Sequence, residues 1–336
     1  MKTKKDKYLL LKGVAGIGDR LHILAAAIDY CERNNRKIIV DWADGVFAAP
    51  GTDLFEKYFT CLHPLYCKQK PSANELTEMS FYPDIFRSFI YDDIYNHYTP
   101  VHPGFIARFP RRFIPDGKWC KIYGYWCYNS NQIYKALGIL LNINNKHDIL
   151  QGRYLPDDIR SDVVVYADMA NISRKETFLK YIQIKDLIKS QIEKFVAEAN
   201  LSEKSIGLHI RNTDKKPLNS TATLIEHIKR KFGSDYTIFV ATDNKNTEEE
   251  IKAHFTNVVK FDKFLPEVHI GGVHHYAQQT KNWEKAELVL EQSIIDMWLL
   301  AKCEYLYYLG NSSFSVISSY LHNNAAKQTD WNMLQQ

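Results

Sequence analysis

At 336 residues the chain is long enough for two ordinary domains with sizeable cores. Its 45% hydrophobic and 24% charged content is that of a soluble globular protein, and a net charge of +4 over this length points to no nucleic-acid partner. No run of about 18 apolar residues is present to cross a membrane, and the opening MKTKKDKYLLLKGV has too short an apolar core for a signal peptide.

The basic tip of Lys2, Lys4, Lys5 and Lys7 suits either a solvated tail or a peripheral place at an anionic membrane face. Cys31, Cys61, Cys67, Cys120, Cys127 and Cys303 form no Cys-x-x-Cys pair, so free thiols in a reducing cytoplasm are expected.

The chain opens as a βαβ unit: a buried strand over Tyr8–Val14, a glycine loop over Ala15–Arg20, a helix over Leu21–Arg33 and a strand over Lys37–Trp42. Gly16 and Gly18 sit where a dinucleotide fingerprint would sit, but Leu21 takes the place of its third glycine. The loop serves either the turn alone or close approach of a ligand to a helix N-terminus. Residues 45 to 135, with eight prolines and many aromatics, read as insertions around a sheet, and Arg108, Arg111 and Arg112 there as a solvated basic cluster. A polar helical pattern over 176–200 is followed by a domain boundary. The second half then alternates: strand 205–211, helix 221–232, strand 237–242, helix 246–254, strand 258–261, helix 284–302, strand 305–309 and helix 314–322. The expected fold class is α/β, with an N-terminal Rossmann-like domain over 1–200 and a C-terminal one over 201–336 facing each other across a cleft.

Strand ends of open α/β sheets bind ligands, and four features fall at such places. Ile206–Lys215 delivers His209, Arg211, Asp214 and Lys215 to a strand's carboxyl end, where an arginine fork suits a diphosphate; a surface turn with a salt bridge is the alternative. Asp243 ends the next strand and is either a site residue or a helix cap. Asp296, inside the apolar run Ile294–Leu300, needs a partner or a shifted pKa, as a structural pair or a ligand contact. Gly310-Asn311-Ser312-Ser313-Phe314-Ser315 offers a phosphate cradle or ordinary caps. His269, His274 and His275 lack metal-site spacing, and no Asp-x-Asp, Walker A or Gly-x-Ser-x-Gly motif occurs.

Taken in order, these segments resemble the α1,6-fucosyltransferase group. His209-Ile210-Arg211-Asn212-Thr213-Asp214-Lys215 is similar to its His-x-Arg-Arg-Thr-Asp-Lys motif, followed by Gly272-Val273-His274, Ile295-Asp296 and Asn311–Ser315. Gly16–Leu21, Leu24–Ala27 and Ile39–Trp42 look closest to the rhizobial nodulation branch, which acts on chitin oligosaccharides. The resemblance covers about residues 8–45 and 205–320 and leaves 46–200 unmatched.

The resemblance implies a GT-B enzyme that needs no metal, inverts the anomeric centre and moves L-fucose from GDP-β-L-fucose to an oligosaccharide of a surface or secreted glycan. Arg211 would bind the diphosphate and neutralise the leaving GDP. His209 and Asp296 would lie near the guanine and Ser312 and Ser313 near the phosphates. Lys215, Asp243, His274, Phe314 and Ser315 would complete the donor side. Gly16, Gly18, Asp19, Arg20 and His22 would line the cleft on the acceptor side. Two positions depart: Asn212 replaces the second arginine, and Asn219 stands where the core enzymes place a catalytic Glu. Asp214 is then the nearest candidate base, with Asp19 and water as alternatives. A transferase for another GDP-sugar, or a non-catalytic nucleotide-sugar or glycan binder, would show much the same motifs.

Overall fold

The structure is a computed structural model describing residues 6–13, 15–82, 84–88, 90–92, 121–122, 125–126, 159–166, 174–201, 203–212, 217–265 and 276–334. β1 (Tyr8–Lys12) turns into α1 (Ile17–Asn34), and β2 (Lys37–Asp41), α2 (Leu54–Tyr58), β3 (Phe59–Cys61), α3 (Ala73–Thr77) and β4 (Phe81–Tyr82) follow. Next come the antiparallel pair β5 (Lys121–Ile122) and β6 (Tyr125–Trp126), then β7 (Val163–Tyr166), α4 (Lys175–Tyr181), β8 (Ile182–Ile184) and α5 (Asp186–Ala199). The second half runs β9 (Ser205–Ile210), α6 (Thr221–Lys231), β10 (Thr237–Thr242), α7 (Lys245–His254), β11 (Val258–Val259), α8 (Tyr276–Thr280) and α9 (Trp283–Leu300). It ends with β12 (Tyr305–Tyr308), α10 (Ser313–Leu321) and β13 (Gln328–Asp330).

Two parallel sheets result. The first has the order β2-β1-β7-β4, the second β11-β10-β9-β12-β13. The second is a doubly wound order that reverses direction between β9 and β12, so a crevice opens beyond the carboxyl ends of those two strands. Strand alternation decides which side chains reach it. Ile206, Leu208 and Ile210 are buried with Leu224 and Trp331 on one face. Gly207 and His209 take the opposite face. A Cβ at Gly207 would press on Cys303 Sγ and the Leu300 carbonyl, each 3.1 Å away, so glycine there lets the end of α9 pack close to the strand.

That opposite face belongs to a buried cluster that runs through both halves, from Leu9–Leu11 and Ala25–Ile28 to Ile294, Ile295 and Ile317. The Trp298 ring meets Phe59 and Phe178, and Phe178 meets Tyr320, so aromatics from before residue 200 are packed on α9 and α10. Burying rings of this size is worth about 2–3 kcal/mol each.

Three local readings change. Ala15 takes a left-handed turn (φ 59°) and Gly16 an extended one, so α1 starts at Ile17 and Gly18 lies inside the helix rather than in the loop. The helical stretch expected over 176–200 divides at Ile182–Ile184, which pairs antiparallel with β3. The chain also adds β13, after which Trp331 is fully buried. No helix among the described residues is long and apolar enough to cross a membrane. Cys31, Cys61, Cys67 and Cys303 are free thiols, while Cys120 and Cys127 lie outside the described residues.

Candidate functional site

The crevice at the β9–β12 reversal is built around His209. Its ring is buried, stacks on Phe314 at 4.9 Å and meets Ser315 Oγ through Nδ1 at 2.9 Å. The Leu309 amide donates to the same hydroxyl, which ties the ring to the strand end of β12. Burial, with Arg211 and Lys263 nearby, pushes the His209 pKa down to about 3, so the imidazole is neutral. The Trp331 indole donates to the His209 carbonyl, fixing the strand end from the other side.

Arg211 follows, half-buried, with its Nε 4.0 Å from Asp243 Oδ2. Asp243 does not cap α7. Asn244 does, through the Thr247 amide, which leaves Asp243 to accept from the Asn212 amide and to face Arg211. Asn212, in place of a second arginine, gives its side-chain amide to Thr247 Oγ1. Asn219 is equally committed: it is buried and donates to the carbonyls of Trp331 and Leu334, pinning the C-terminal segment.

Asp296 projects from α9 and is buried. Its Oδ2 accepts from Lys263 at 2.5 Å, while Oδ1 is buried with no partner among the described residues. Burial raises its pKa against the pull of Lys263. Lys263 was not singled out from the sequence, because its pairing depends on the path of the segment after β11. A lysine shortly after a strand end was the only available signal.

The third wall is the N-terminus of α10. Ser312 is its N-cap residue but makes no side-chain cap, and its hydroxyl is buried without a partner among the described residues. Ser313 Oγ donates to Asp19 Oδ1 at 2.5 Å, so the first half of the chain enters the site here. A Cβ at Gly18 would stand 2.4 Å from the Phe314 amide nitrogen, too close for any side chain. Gly18 therefore admits the α10 backbone, where the sequence suggested room for a ligand.

Arg20 and His22, expected at the cleft edge, are inside the protein at 2% and 1% exposure. Arg20 pairs with Asp44 at 2.5 Å, donates to the Ala15 carbonyl and lies over Trp42 and Phe47. The His22 ring is packed edge-on against Tyr320. Arg20 thus braces the loop that carries Gly16. The structure brings His209, Arg211, Asp243, Asp296, Ser312, Ser313, Phe314 and Ser315 around the β9–β12 end. Asp214, Lys215 and His274 lie outside the described residues.

Two parallel Rossmann-like sheets joined across such a crevice make this a GT-B fold. No family model matches the chain, and no curated protein matches it in sequence. Solved structures do match it. The fucosyltransferase NodZ from Bradyrhizobium aligns over 94% of this chain and 92% of its own, with a TM-score of 0.58 at 16% identity. NodZ α-1,6-fucosyltransferase soaked with GDP-fucose aligns with a TM-score of 0.55 at 17% identity, covering 94% and 93% of the two chains. POFUT1 in its apo form aligns over 98% of each chain with a TM-score of 0.50 at 14% identity. At these identities the shared property is the fold.

Proposed function

We propose that the chain is an inverting fucosyltransferase that needs no metal and moves L-fucose from GDP-β-L-fucose to a hydroxyl of an oligosaccharide. The observation that carries this is one crevice edged by Arg211, by the open carboxylate oxygen of Asp296 and by the free hydroxyl of Ser312 at a helix N-terminus. A cation and a helix N-terminus suit a diphosphate, and a buried acceptor oxygen suits a base edge that carries N–H donors. The fold shared with a NodZ structure soaked with GDP-fucose supports the same reading.

In this proposal the acceptor oxygen bonds to C1 of the fucose as the C1–O bond to the β-phosphate breaks, and the electron pair leaves on GDP. Arg211 and the α10 N-terminus stabilise that developing charge, while Asp243 holds Arg211 in place. The acceptor proton passes to Asp214 or to water. Neutral His209 hydrogen-bonds the nucleotide and adds no charge. Lys215 and His274 complete the donor side. Residues 1–200 serve as the acceptor domain and 201–336 as the donor domain. On the acceptor side a cavity of about 530 Å³ lies at the carboxyl end of β2, with Glu56, Lys68, Gln69, Lys70 and Tyr91 in its lining. Charged groups, an amide and an aromatic ring are suited to sugar hydroxyls and sugar faces. We place the reaction in the cytoplasm, in the assembly of a surface or secreted glycan, which the free thiols favour.

The test is incubation with GDP-fucose and a panel of oligosaccharides, with and without EDTA, following GDP release and product mass. Fucosylated product formed equally with EDTA is expected. Turnover with GDP-mannose but not GDP-fucose would move the reading to another hexose, and no turnover of any donor would reject it.

A further inference from the structure

Two helix N-termini converge at the site. α1 and α10 meet so closely that the Gly18 Cα lies against the backbone of Ser313 and Phe314. Each helix end carries the equivalent of about half a positive charge, so the contact concentrates positive potential. Side chains cap five of the other helices, Asp53 on α2, Ser72 on α3, Ser220 on α6, Asn244 on α7 and Asn282 on α9, while α4 and α5 have none. Neither α1 nor α10 has a side-chain cap: Gly16 has no side chain to offer, and the Ser312 hydroxyl is buried without a partner among the described residues. Asp19 carries the negative charge at this junction. It lies in the first turn of α1 and accepts from Ser313, the first residue of α10.

We infer that Asp19 is a resident anion that occupies the phosphate end of the donor site and exchanges with the incoming diphosphate. The inference rests on the proposal that the donor's phosphates bind at the N-terminus of α10. When they arrive, Ser313 turns its hydroxyl from the Asp19 carboxylate to a phosphate oxygen, and the α1–α10 contact loosens. When GDP departs, Asp19 returns. Asp19 thereby lowers the affinity for donor and product alike and couples nucleotide release to the junction between the two halves. No bond is made or broken in the exchange, only hydrogen bonds and charge contacts.

The experiment compares wild type and Asp19→Asn by calorimetry with GDP and with inorganic pyrophosphate. Removing the resident charge while keeping the side-chain shape should tighten both ligands roughly three- to tenfold. The gap should narrow as salt is raised. Equal or weaker binding by Asp19→Asn overturns the inference, as does failure of both proteins to bind either anion. If wild type binds pyrophosphate but not GDP, the nucleotide reading fails, and the pyrophosphate comparison still decides the part of Asp19. Hydrogen exchange on the wild-type protein needs no variant. GDP should speed exchange in residues 17–20, and unchanged or slower exchange there counts against displacement.

Discussion

The carboxyl ends of the two parallel sheets handle charge in opposite ways. In the first sheet Lys12 pairs with Asp41 and Arg20 with Asp44, each pair at 2.5 Å and almost wholly buried, although Arg20 Nη1 has no partner among the described residues. Lys12 also donates to the carbonyls of Ile90 and Asp92, so its ammonium is saturated within the fold. In the second sheet two buried polar groups are left incomplete. Among the described residues Asp296 Oδ1 and the Ser312 hydroxyl have no partner. The paired groups hold a loop in shape, and the unpaired ones are those the proposed donor site would use. On that proposal, strand-end residues of the same types are structural in one half and ligand-directed in the other.

Substitutions at the two ends should separate these roles. The largest effect is expected at the closed end. Asp44→Asn strands the Arg20 guanidinium in the interior and should cost about 3–5 kcal/mol of stability in urea unfolding. The folded fraction should keep its GDP affinity. At the open end Arg211→Ala should leave the melting curve nearly unchanged and lower turnover of GDP-fucose by roughly 10²–10³-fold. Near-normal turnover in that variant would remove Arg211 from the leaving-group role.

Ser312→Ala is a milder probe of the same end. Its hydroxyl has no partner among the described residues, so unfolding should be unaffected, while GDP binding should weaken roughly threefold to tenfold. A loss of stability with unchanged GDP affinity would place that hydroxyl in the fold rather than the site.

The smallest effect concerns pH. His209 has its folded pKa pushed down to about 3, against about 6.5 in an unfolded chain. Between those values the unfolded state binds the proton and the folded state does not. Stability should therefore fall as pH drops below about 6.5. His209→Gln should flatten that slope in urea melts across the range, and an unchanged slope would assign it to other groups.

Much of the doubly wound pattern could be read from apolar runs, since β9, β10, β12 and their helices follow the periodicity of the sequence to within a residue or two. The residues around the crevice were legible for the same reason: a strand's carboxyl end can be recognised before its partners are known. What could not be read depends on distant contacts. Gly18 serves the approach of Phe314, almost 300 positions away, and looks like a loop glycine until α10 is in place. Asn219 looks like a lost catalytic Glu until Trp331 and Leu334 accept its amide. Asp243 resembles a cap because the cap is the next residue, Asn244. β8 escaped notice because its partner β3 lies far back in the chain.

The central claim is that the open end of the second sheet holds a guanosine diphosphate. Calorimetric titration of the wild-type protein with GDP, UDP and NAD, each with and without EDTA, tests it most directly. Saturable binding of GDP alone, unchanged by EDTA, is the expected result. Binding of NAD, or of UDP as tightly as GDP, would contradict it.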